Sequence, residues 1–171
     1  MTFVTISLMI AFAIYMVYNA IAIGNFGIPQ SLSDTFYLYK NKYKCGFVFP
    51  VMMLLVVGFM MPAWLTLSEG SNFQFLSFLA PASLLFVGAA PAFKSSDLEN
   101  KVHTVSAYFA AACSLLWVIL VTPYWMVIPI WFVLIALIAL ATRTVKSSLV
   151  YWLETVAFFS TFQSAIFYGV F

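Results

Sequence analysis

Charge is what this sequence has least of. Its 7 Lys and Arg and 5 Asp and Glu make up 7% of 171 residues. A soluble domain carries roughly a quarter of its residues as charges, which keeps its surface solvated by water. So few charges cannot cover a globule, and the solvent for most of this surface must be lipid. Histidine is scarce as well. The lone His103 excludes a His-rich metal centre, and neither HExxH nor P-loop spacing occurs. Two cysteines, Cys45 and Cys113, make neither a disulfide framework nor a CxxC pair. The net charge of +2 comes with no long basic run, which excludes nucleic acid as a partner. No Lys or Arg precedes Lys40, unlike the basic start of a secretory signal, so the first apolar run is expected to be a span and not a leader. No metal or cofactor is expected.

What is present resembles hydrocarbon. Hydrophobic residues reach 65%, mean hydropathy is +1.07, and 19 Phe, 9 Tyr and 5 Trp supply rings suited to a bilayer and its interfaces. About 20 apolar residues cross the hydrocarbon core as a helix. Six runs qualify or nearly so, at about residues 3–23, 46–65, 73–93, 102–121, 125–141 and 148–171. The expectation is a single all-α transmembrane domain, a six-helix bundle.

The connectors are short. Pro29 marks a loop after the first span, and Ser31-x-x-Asp34 reads as a helix start. Phe36, Tyr39 and Tyr43 follow at helical spacing beside Lys40, Lys42 and Lys44. They predict a short interfacial helix with its rings in the headgroup boundary. Ser96-x-x-Glu99 has the pattern of a capping box and starts the fourth helix near Asp97. Gly88-Ala89-Ala90 and Ala110-Ala111-Ala112 offer small residues where backbones can approach.

Charge asymmetry orients the chain. The loops after the first, third and fifth spans hold Lys40, Lys42 and Lys44, then Lys94 and Lys101, then Arg143 and Lys146, which are all 7 basic residues. The positive-inside rule puts these loops in the cytoplasm and both termini outside, in the simplest case across a bacterial inner membrane. Trp64, Tyr124 and Trp125 would then form an outer aromatic belt.

An ionisable side chain within a span is a functional-site hypothesis by default. Glu154 lies about 9 Å into the sixth helix, on one face with Tyr151, Thr161 and Ser164, and that face should point into the bundle. It fits a proton carrier, a cation ligand or a general base, and equally a polar clasp that fixes helix packing. His103 opens the fourth helix with Glu99 one turn before it. With Asp34 these residues could form a polar mouth open to the cytoplasm, or His103 could simply anchor a helix end through Glu99.

Ile28-Pro29-Gln30-Ser31-Leu32-Ser33-Asp34-Thr35 and His103-Thr104-Val105-Ser106-Ala107 resemble two segments of the damage-regulated autophagy modulator and GPI-anchor-remodelling family. Leu32, Ser106 and the Lys/Tyr-rich continuation depart from its pattern. The resemblance implies a small six-spanning protein of lipid handling or membrane organisation, and it carries over no catalytic residue. Three functions follow as expectations. The first is binding or helping to process a lipid at the cytoplasmic leaflet, with Asp34, Glu99, His103, Tyr151 and Glu154 about the site and membrane lipids as partners. The second is a structural or assembly subunit that associates with other membrane subunits or with itself. The third is a small proton- or cation-coupled transporter that uses Glu154. Catalysis is left open.

Overall fold

The structure, a computed structural model, describes residues Phe3 to Val170. Among these residues all regular structure is helical. Seven helices follow in order: α1 (Phe3–Phe26), α2 (Thr35–Tyr43), α3 (Val48–Leu67), α4 (Gln74–Ala89), α5 (Asp97–Val121), α6 (Val127–Ala141) and α7 (Leu149–Val170). Three of them, α1, α3 and α5, are long and apolar enough to cross a membrane; α4 and α6 are apolar but shorter.

Local chemistry sets the ends. Ser96 caps α5 by accepting from the Glu99 N–H at 3.2 Å, half of the reciprocal capping pattern. The helix expected over residues 73–93 stops instead at Ala89. Ala90 precedes Pro91, whose ring disfavours helical geometry in the residue before it, and Ala90 leaves the helix at φ −113°. Proline inside a helix has a different consequence. Pro62 in α3 leaves Gly58 O, four residues back, without its helical donor; one residue on, Ser7 of α1 donates to Phe59 O at 2.7 Å.

The start of α2 also departs from expectation. Asp34 is its N-cap residue but caps nothing with its side chain; the Ser31 hydroxyl accepts from the Asp34 N–H at 3.2 Å. The rings of α2 turn inwards, with Phe36 and Tyr39 buried against the bundle and only Tyr43 among the three exposed. Lys40 lies over the Phe36 ring and Lys42 over Phe26 and Tyr43. The ammonium groups thus cover ring faces at the end of the bundle.

The core runs through α1, α3, α4, α5 and α7 and includes Leu8, Tyr15, Phe49, Val56, Trp117 and Phe162, all essentially inaccessible. A Cβ on Gly88 would come within 3.1 Å of Met53 Cβ, so this glycine lets α4 close on α3. α6 packs chiefly on α7 and sits at the edge. Trp64 was expected in an interfacial belt but is fully buried, edge-on to Trp117 at 4.9 Å. Trp125 is exposed.

Candidate functional site

Two polar assemblies meet at the end of the bundle where α1 hands over to α2. In the first, the connector after α1 lies against the start of α7. The Ser148 hydroxyl donates to Ile28 O (3.4 Å), the Tyr151 N–H to Gln30 O (3.0 Å) and the Leu32 N–H to Glu154 Oε2 (2.7 Å). Steps of two residues on the connector match steps of three on the helix. The connector bends and turns here and so rises less than an extended chain, whose two residues span about 6.6 Å, which lets it keep step with a helix that rises about 4.5 Å in three. Tyr151 also donates its hydroxyl to Asn19 Oδ1 of α1 at 3.0 Å, tying both helices to one level.

The second assembly joins the connector to the loop before α5. Asp34 Oδ1 lies 2.6 Å from Lys94 Nζ, and the Lys94 N–H donates to the Tyr37 hydroxyl at 2.7 Å. Phe93 stacks on the His103 ring at 4.3 Å, and the His103 Nδ1–H donates to Ala90 O at 3.0 Å. That carbonyl is left without a helical donor because α4 stops before Pro91. His103 therefore satisfies a helix end, as an anchoring histidine would, but through Ala90 and not through Glu99.

Of the residues expected about a mouth, Asp34, His103, Tyr151 and Glu154 lie at this end, linked by residues 28–37 and 90–94. Glu99, one turn before His103 on α5, makes no ion pair with a described residue. Tyr151, Thr161 and Ser164 are buried and Glu154 partly so, in line with one inward face on α7.

Above Glu154 an apolar cleft of about 60 Å³ runs between α3, α4, α5 and α7. Leu32 and Ser33 of the connector close one end beside Glu154, the one charged residue in its lining. Met60 and Trp64 of α3, Leu84 of α4 and Thr161 of α7 wall its length. Ala107, Ala110 and Ala111 also line it, so small residues of α5 leave room here while α5 packs closely on α4. Ala107, Ala111 and Phe158 are only partly buried, which puts the opening along the α5–α7 seam. Sequence reasoning placed Glu154 and Thr161 on this face but missed Trp64. The spacing of Met53, Met60 and Trp64 by seven and four residues marks one side of α3 and could have found it.

No family model, curated protein or solved structure matches this chain.

Proposed function

We propose that this chain is a six-span integral membrane protein, with α1 and α3 to α7 as spans and both termini outside, that binds a lipid drawn from the cytoplasmic leaflet. The observation that carries the reading is the cleft: an apolar space inside the bundle, open along a helix seam, with a carboxylate at one end. Hydrocarbon suits such walls, and a single polar group at the mouth would orient a headgroup. With six spans all the basic residues fall on the side of Glu154, where they would attract anionic lipid. Likeness to the damage-regulated autophagy modulator and GPI-anchor-remodelling family belongs to the same proposal, because that group implies lipid handling or membrane organisation.

The test is native mass spectrometry of protein released from nanodiscs, wild type beside Glu154→Gln and Ala111→Phe. Wild type should retain a lipid that Ala111→Phe, which fills the cleft, excludes. Glu154→Gln should weaken retention, because the amide keeps an acceptor for the Leu32 N–H but loses the charge at the mouth. A monodisperse wild type that carries no lipid and matches both variants would sink the proposal and favour a structural subunit.

A further inference from the structure

Buried hydroxyls in these helices ordinarily turn back on the preceding turn: Thr155 donates to Tyr151 O at 2.7 Å, Ser83 to Leu79 O at 2.8 Å and Thr122 to Val118 O at 2.8 Å. The Ser160 and Ser164 hydroxyls of α7, outside the cleft lining, find no partner among the described residues, and two groups that do line the cleft join them. The Thr161 hydroxyl and the Trp64 indole N–H are buried and find no hydrogen-bond partner among the described residues. Unpaired buried donors are rare because they forgo a bond that water would supply. Both lie at the far end from the connector; Thr161 is seven residues beyond Glu154, about 10 Å along α7.

The chemistry of the missing partner follows from what surrounds it. An indole N–H only donates, so the partner must accept. No cationic residue lines the cleft to neutralise an anion, so the acceptor must be uncharged. A water could accept from both, but its own two hydrogens would then face walls that are mostly apolar; an acceptor with no hydrogens of its own fits better. The apolar walls beside Ala107, Ala110 and Ala111, open along the α5–α7 seam, suit an acceptor carried by a largely apolar molecule that enters from the bilayer.

We propose that the cleft takes a lipid bearing an uncharged carbonyl oxygen, which accepts from Trp64 Nε1 and Thr161 Oγ1 while its hydrocarbon lies along the alanines of α5. This assignment rests on the lipid-binding reading above. An acyl ester and a prenyl-type quinone both present such an oxygen.

The experiment uses the full chain in a maltoside detergent, which has no carbonyl of its own. Binding of three probes is read by native mass spectrometry: monooleoylglycerol, its ether-linked analogue, and a decyl-tailed benzoquinone. The ester or the quinone, whichever is the natural class, should bind about tenfold more tightly than the ether, the worth of one good hydrogen bond. Trp64→Phe, which keeps a ring against Trp117, and Thr161→Val, which keeps the shape, should each remove most of that advantage and leave the ether unchanged. Should Trp64→Phe fail to fold, Thr161→Val decides alone. Equal binding of ester, quinone and ether, abolished by Ala111→Phe but indifferent to Trp64→Phe and Thr161→Val, would overturn the carbonyl assignment and leave the lipid cleft standing. Failure of every probe, with no co-purified lipid, would end both.

Discussion

α6 and α7 lie side by side and invert the rule that governs proteins in water. α6 is apolar at every position but Trp131 allows for an indole N–H, yet only Val127, Ile135 and Ala139 of its 15 residues are buried. α7 carries Glu154, Tyr151, Thr155, Ser160, Thr161 and Ser164, yet 9 of its 22 residues are buried, and five of those are polar. In water the helix with hydroxyls would face out and the hydrocarbon helix would fill the core. In lipid the order reverses, because tails solvate Leu and Ile as well as a protein interior does, whereas hydroxyls find partners only inside. The contrast supports lipid as the solvent independently of composition, since it concerns where residues sit and not how many there are.

The comparison can be broken most forcefully on α6. Leu134, midway along the helix, is 44% exposed. In water a lysine there would be neutral; against lipid, Leu134→Lys should cost about 3–4 kcal/mol of insertion, read as a drop in the membrane-integrated fraction. Integration equal to wild type would mean that this face does not meet hydrocarbon. On α7 the expectation turns round. Ser164 is fully buried, so Ser164→Leu, although more apolar, should overpack the seam and cost about 1–3 kcal/mol, seen as a lower melting temperature in detergent. A stabilised variant would show that the hydroxyl face is loosely packed. The smallest effect concerns the link between the two helices, where the Trp131 Nε1–H donates to Gln163 Oε1 at 2.6 Å. A double-mutant cycle of Trp131→Phe and Gln163→Leu should yield a coupling of about 0.6 kcal/mol, and not above about 1.7 kcal/mol, as for other hydrogen bonds between helices in membranes. No measurable coupling would leave α6 held by apolar packing alone.

Much of the candidate site could be read in advance because it depends on helical period. Tyr151, Glu154, Thr161 and Ser164 share a face at any helix length, and an inward orientation follows from their polarity. His103 shows where such reasoning stops. Its nearest polar neighbour by sequence was Glu99, but Pro91 ends α4 early and leaves the Ala90 carbonyl for the imidazole to take. Proline was visible in the sequence; the meeting of its freed carbonyl with a side chain 13 residues on was not. Asp34 misled for a similar reason. Its spacing from Ser31 suggested a cap, while in the fold it meets Lys94, a partner 60 residues away.

By itself the sequence determined the helical class, the approximate extent of the helices and the polar face of α7, because hydropathy and period act along the chain within a turn or two. The tertiary structure alone decided that Trp64 is buried and not interfacial, that the alanines of α5 border a cleft, and that the Leu32 N–H closes its end on Glu154. Those outcomes depend on which helix faces which. That is settled by the packing of whole surfaces and by the pairing of backbone groups freed at prolines and connectors, and neither is encoded at any one position.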